Sequence, residues 1–308
     1  MKQLLIIISL FTFFSTLFAM DNLNNKTSIQ PTWIAKGFSD STSALAVSHD
    51  GSNIVVGTDS RGIHLSVINA GNGKISKSLG NYSWDVAFSP DGKLIVGSNR
   101  TTIGIWSFET GKLIKTIEIK HMSSIRVFTF TPDGKFIAVG GLETTVQLID
   151  IETGMMIKEF DIDGGYCFAL AFSPDGKMLA GGGNPDILLW DVTTGKPIRT
   201  LKTYAEGRRN YANQDTFTIL FNNNGSSLFS AGADGIIRQW DPATGVLNKA
   251  YKKVECGFIF SIAVDPKSTL LAAPCGSDIM IIQIDTGETL GTLKGHNKLV
   301  ESIVFSPD

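Results

Sequence analysis

Histidine and cysteine, the side chains behind most nucleophilic, acid–base and metal chemistry, are scarce here: four histidines and three cysteines in 308 residues. His49, His64, His121 and His296 stand in no recognisable nucleophile motif. Neither His-x-x-His nor Cys-x-x-Cys metal spacing occurs, so no metal and no cofactor is expected. Charge is also thin. Only 18% of residues are charged and the net charge is −2, with no basic run. A nucleic-acid partner held through phosphates wants a basic stripe, and this chain offers none. Nothing after residue 30 reads as a long amphipathic helix, which excludes helical bundles and α/β folds.

Long apolar runs are confined to the first 20 residues. Lys2 gives a positive start, residues 4–14 are apolar, and Leu17-Phe18-Ala19 suits cleavage. Residues 1–19 therefore read as a secretory signal peptide, and a secreted or periplasmic protein is expected. A retained anchor competes, although the segment is short of the ~20 residues a spanning helix wants. After cleavage no membrane span is expected. Residues 20–31 read as a linker. Three cysteines leave at least one free. Cys167 and Cys275 both read as packed small residues, and a Cys256–Cys275 bridge is allowed but unforced.

What the chain has in abundance is repetition. Near-copies recur about every 42 residues: Val86-Ala-Phe-Ser-Pro-Asp-Gly92, Phe128-Thr-Phe-Thr-Pro-Asp-Gly134, Leu170-Ala-Phe-Ser-Pro-Asp-Gly176, with looser members at 45–51, 219–225, 262–268 and 303–308. Large apolar residues two apart read as an opening strand. In the Pro-Asp-Gly turn, proline presets φ, aspartate bonds its own backbone and glycine takes φ > 0. A second apolar strand follows. A third ends in a bulky column, Ile68, Trp106, Ile149, Trp190, Trp240 and Ile282, and a Thr-Gly or Asn-Gly turn then leads to a short fourth strand. Each copy is thus four antiparallel strands that need stacked neighbours to be stable.

The runs Trp190-Asp191-Val-Thr-Thr-Gly195 and Trp240-Asp241-Pro-Ala-Thr-Gly245, with Gly295-His296, resemble the tryptophan–aspartate (WD) repeat family over residues 32–308. The resemblance implies an all-β fold: a β-propeller of four-stranded blades, six complete and a seventh incomplete at the C-terminus. It also implies a binding scaffold for a protein or peptide, a monomer without catalysis of its own. The family's Asp–His–Ser/Thr–Trp network is mostly missing; blade five keeps Asp234, Ser230 and Trp240 without the histidine. Residues 32–36 take the place of a fourth strand that closes the last blade, so the chain is expected to continue at least ~30 residues past Asp308. A six-bladed ring with a frayed tail is the alternative.

One local departure points to a site. Successive opening-turn glycines, Gly51, Gly92, Gly134 and Gly176, are 41, 42 and 42 residues apart, but Gly225 follows after 49. The excess lies between blades four and five and holds Tyr204, Arg208, Arg209 and Tyr211. Tyrosine and arginine are enriched at interface hot spots, and binding residues concentrate on loops over rigid scaffolds. These four residues are the expected partner-binding surface. Asp85, Asp186, Asp234 and Asp278 are able to face the axis or the loop face; Asp186, Asp234 and Asp278, which sit before third strands, read as turn caps, with a channel cation as the alternative. A propeller enzyme, or a metal- or ligand-binding sensor belonging to a longer chain, is the competing function.

Overall fold

Each repeat folds where its turn chemistry says it should. In the computed structural model, the described residues are 5–9, 15–20, 33–38 and 42–307, apart from 59–64, 81–83, 164, 184–185, 204–214, 252–256, 295 and 297; residues 5–43 and Thr58 are described by backbone alone. In the Ser-Pro-Asp-Gly turns the serine hydroxyl donates to the aspartate, Ser89 to Asp91 and Ser173 to Asp175 at 2.6 Å each. The same oxygens accept backbone N–H groups from the next strand, Leu94 and Met178 to serine Oγ at 2.9 Å. Thr131–Asp133 and Ser48–Asp50 repeat the arrangement. The hydroxyl holds these carboxyls below the usual range, that of Asp50 at about 2.

Among the described residues these turns organise seven four-stranded antiparallel sheets. Blade one is Thr42–Val47, Asn53–Thr58, Leu65–Asn69 and Ile75–Gly80. Blade two is Val86–Phe88, Leu94–Ser98, Thr102–Ser107 and Leu113–Glu118. Blade three is Ile125–Phe130, Phe136–Gly141, Thr145–Asp150 and Met156–Asp161. Blade four is Cys167–Phe172, Met178–Gly183, Ile187–Asp191 and Pro197–Leu201. Blade five is Thr216–Phe221, Leu228–Gly232, Arg238–Trp240 and Leu247–Ala250. Blade six is Ala263–Val264, Leu270–Cys275, Asp278–Gln283 and Thr289–Leu293. Each is the simple meander of a propeller blade. No helix among the described residues is long and apolar enough to cross a membrane.

Of the seventh repeat, the given sequence supplies the strand Val300–Phe305. Its sheet is filled from the other end of the chain, in the order Val300–Phe305, Leu5–Ser9, Ser15–Met20, Trp33–Phe38. The register puts Leu5 opposite Phe305 and Ile7 opposite Ile303. The piece expected as the closing fourth strand is the outermost one here. The two strands between it and the last repeat come from the segment read as a signal peptide. An opening strand with an open edge presents unpaired backbone groups, and an apolar strand satisfies them. The linker reading of residues 20–31 falls, beyond Met20, outside the described residues.

The chain forms two compact units, Met1–Glu118 with Ser261–Asp308, and Ile119–Phe260. In each, the core lies between successive sheets. In the second unit, Trp190 of blade four packs with Val146, Leu148 and Phe160 of blade three, its ring 5.7 Å from that of Phe160. Trp240 of blade five packs with Ile187, Leu189 and Leu201 of blade four. In the first unit, Trp106 of blade two meets Val55, Leu65 and Val67 of blade one. The whole bulky column is buried. The indole needs room: a Cβ on Gly181 would lie 2.6 Å from the Trp190 ring.

A polar clamp repeats beside this packing. The third residue of a fourth strand reaches the next blade's Asp-x-x-Thr-Gly turn. Lys158 Nζ donates to the carbonyls of Val192, at 2.7 Å, and Thr193. Arg199 donates to Thr244 and Ala243 at 2.7 and 2.6 Å. In the first unit Lys77 donates to Phe108 and Glu109. Gly245, at φ 78°, serves both turn and clamp, because a Cβ there would lie 2.3 Å from Arg199 Cδ. The aspartates of the signature, Asp191 and Asp241, cap these turns by accepting from Thr194 and Thr244.

Two outcomes follow from this packing. Trp240→Ala should destabilise the protein by about 3–5 kcal/mol, the cost of a truncated buried aromatic, and lower its melting midpoint; an unchanged melt would contradict the placement. The turn aspartates titrate lower when folded than when unfolded. The stability they contribute is therefore present above the unfolded value of about 4 and lost as pH falls through the folded one. Melting temperature should drop between about pH 4 and pH 2, less so in Asp50→Asn; the same drop in that variant would place the acid limb elsewhere.

Candidate functional site

The residues expected to bind a partner, Tyr204, Arg208, Arg209 and Tyr211, lie outside the described residues, but the segment's two ends are defined. Thr203 and Asp215 line a small, open-mouthed pocket together with Thr216, Ser230, Gly232, Asp234 and Arg238. The backbone is close here, since a Cβ on Gly232 would lie 1.9 Å from the Asp215 carbonyl oxygen. Three of the four network residues noted in blade five sit at or beside this pocket. Trp240 Nε1 donates to Ser230 Oγ at 2.9 Å. Asp234 accepts from the Ile236 N–H at 3.0 Å, the turn cap expected of it, and pairs with Arg238 at 2.6 Å. Arginine thus answers the aspartate where the resemblance would place a histidine.

The other sequence candidates scatter. His296 precedes the opening strand of blade seven and is buried, which pushes its pKa down to about 4. His49 is exposed and His121 occupies a positive-φ position at 58°, while His64 lies outside the described residues. Asp186 pairs with Lys202 at 2.6 Å. Among the described residues, no group of three or more His, Cys, Asp or Glu side chains is placed to hold a metal ion. Cys275 is disulfide-bonded rather than a merely packed small residue, whereas Cys167 is a buried free thiol whose pKa burial pushes up to about 12.

A surface that sequence reasoning missed lies on the second unit. Phe168 and Phe217 hold the second position of the opening strands of blades four and five, and Phe260 holds the matching place before blade six. Their rings join: Phe168 to Phe217 at 6.2 Å, and Phe217 to Phe260 at 5.0 Å, stacked at 21°. Tyr166 and Phe258, two residues upstream, extend the array at 6.0 Å from Phe168 and Phe260 and are 50% and 46% exposed. The signal was available in the aligned repeats. The aligned position of the other repeats holds Ser43, Trp84, Arg126 and Glu301, so three phenylalanines in succession break the pattern.

Comparison with known proteins agrees with the blade geometry. The family profile "WD domain, G-beta repeat" matches residues 73–107, 157–191 and 195–241. The profile "Anaphase-promoting complex subunit 4 WD40 domain" matches residues 118–167. Among curated proteins the chain is similar to transcription factor unc-37 of Caenorhabditis elegans, 26% identical over 63% of this chain and 30% of that protein. It is 29% identical to the periodic tryptophan protein 2 homolog of Schizosaccharomyces pombe, over 54% of this chain and 21% of that one. It is 24% identical to WD repeat-containing protein VIP3 of Arabidopsis thaliana, over 70% and 56%. The matched region thus spans between 21% and 56% of the length of these relatives.

A buried, neutral thiol does not act as a nucleophile. Cys167 should therefore resist alkylation at pH 8 in the folded protein and react at once in denaturant, as followed by mass spectrometry. Rapid labelling of the native state would show that the blade-three to blade-four core opens.

Proposed function

Because the chain belongs to the WD-repeat family, we propose that it is an exported scaffold that binds a protein or peptide through its loop face and catalyses nothing itself. One observation carries this reading: a run of rings, with Tyr166 and Phe258 half exposed, stands in the same unit whose sequence holds the long connection of Tyr204, Arg208, Arg209 and Tyr211. A partner's anchors would meet surfaces that need no rearrangement, the condition under which a few side chains dominate affinity. The thiol that could serve as a nucleophile, Cys167, is withheld by burial. Export is supported by the charged start and apolar core of residues 1–19 and by the disulfide at Cys275, since disulfides persist in oxidising compartments.

The protein isolated from its source tests both halves. Its intact mass should fall below 33.2 kDa by the mass of residues 1–19 if the chain ends at Asp308, and the mature N-terminus should begin at Met20 in any case; retention of residues 1–19 sinks the exported, cleaved form. Replacing Arg208 and Arg209 together by alanine should weaken retention of the co-purifying partner by about tenfold or more, the scale of a lost hot spot. Unchanged retention removes these residues from the interface.

A further inference from the structure

The longest run of exposed large apolar side chains among the described residues lies on the outer strand of blade three. Met155, Met156 and Ile157 are 67%, 48% and 48% exposed. A regular strand sends neighbouring side chains to opposite faces. The strand Met156–Asp161 departs from that rule at its start: Leu148 pairs with Lys158 and Ile149 with Met156, so Ile157 is the extra residue of a bulge and stands together with Met156. This strand ends the sheet order of its blade. A bulged edge is a poor template for another strand, so what the surface offers a partner is its side chains. The other blades break up the same stretch. The place of Met155 is charged in blades one, two, four and six, as Lys74, Lys112, Lys196 and Glu288, and in blade five Asn248 follows Val246 and Leu247.

Beyond the apolar run the same strand is acidic. Glu159 and Asp161 are exposed, and Asp163 follows in the turn. Asp161 Oδ1 accepts the Asp163 N–H at 3.0 Å, a bond that leaves its charge in place. The strand's one base, Lys158, is turned away onto the Val192 and Thr193 carbonyls of blade four. An apolar patch that runs into carboxylates suits a partner that is apolar and basic in the same order. It does not suit itself. A two-fold contact between copies, centred on the apolar run, would lay Glu159 and Asp161 of each toward the Asp150–Glu152 turn of the other, acid on acid. Spacing narrows the form of the partner. At ~3.3 Å per strand residue, Glu159 and Asp161 stand ~10 and ~16 Å from Met156, which about seven and about eleven residues of a helix span at ~1.5 Å each. Positions i, i+4, i+7 and i+11 of a helix share one face. Methionine is flexible and polarizable, and adapts to whichever apolar anchor arrives.

Resting on the scaffold reading above, we propose that the outer strand of blade three is a docking surface for a basic amphipathic helix of the protein partner. The helix is apolar at i and i+4 and carries lysine or arginine at i+7 and i+11. Its apolar anchors seat on Met155, Met156 and Ile157, and its basic heads meet Glu159 and Asp161.

The test titrates the intact protein into fluorescein-labelled, alanine-rich helical peptides and reads fluorescence anisotropy. The probe carries leucine at i and i+4 and lysine at i+7 and i+11. In one control the lysines are glutamates; in the other they are moved two places along, off the leucine face. The probe should bind saturably, and both controls about tenfold more weakly or worse. Met155→Ser with Met156→Ser should weaken the probe by about tenfold. Glu159→Lys with Asp161→Lys should reverse the preference, so that the glutamate peptide binds instead. Should the Asp161 change disturb its turn, Glu159→Lys alone carries the test, with the preference for lysine reduced; an unmoved melting curve shows that a variant is folded. Absence of binding, equal binding of either control, or a preference that survives the charge reversal overturns the site. So does a dimer of the protein that the paired serine variant dissociates, since a second copy would then own the surface. Partner retention that depends on Arg208 and Arg209 yet is unchanged in both paired variants also overturns it, while leaving the scaffold reading in place. Probe binding in a protein that retains no partner removes the scaffold reading and leaves the site.

Discussion

A four-stranded sheet has two faces and can cover neither by itself; everything else in this chain answers that constraint. The bulky column is the main answer. Trp190 and Trp240 are buried between residues of their own blade and those of the preceding one. Because burial of a large side chain is worth several times a surface hydrogen bond, stacking decides the fold and the turns decide its register. Lys77, Lys158 and Arg199, at the third place of their fourth strands, then tie the turn of the next blade to their own. They also put charge on strands that carry exposed Ile75, Ile157 and Ile198, a combination that discourages edge-to-edge association.

The rigidity so obtained is what makes a binding reading physical. The opening strands are fixed at one end by side-chain-capped turns, hydroxyl–carboxylate in blade four and asparagine in blade five, and at the other by close backbone approach, where the Asp215 carbonyl lies against Gly232. Side chains at the upstream end of these strands are therefore held without needing to be packed. Tyr166 and Phe258 can stay half exposed and still keep their place in the array.

Much of this was legible from residues alone, for a specific reason: turn chemistry and strand alternation are local, and the Ser-Pro-Asp-Gly and Asp-x-x-Thr-Gly runs state them outright. The bulky column was legible because it recurs at one place in each copy. The clamp was not, since Lys158 and Arg199 act on carbonyls of the following repeat, and a lysine on an exposed strand reads as solvated. The aromatic array escaped because phenylalanine in a strand reads as core; only the lateral contacts between repeats show that Phe168, Phe217 and Phe260 face one another instead. The exchange of histidine for Arg238 as the partner of Asp234 was half visible, as an absence with no replacement named.

The pairing of Leu5 with Phe305 sets a clock. At ordinary synthesis rates of roughly 5–20 residues per second, the first strand of that sheet waits on the order of 15–60 s for its partner to be made. Through that interval the apolar head of the chain has no native place to go, and any machinery that recognises apolar leaders meets it unopposed. In the fold those residues are the strands Leu5–Ser9 and Ser15–Met20, so their sheet joins segments from opposite ends of the sequence and forms after the six sheets built from consecutive strands.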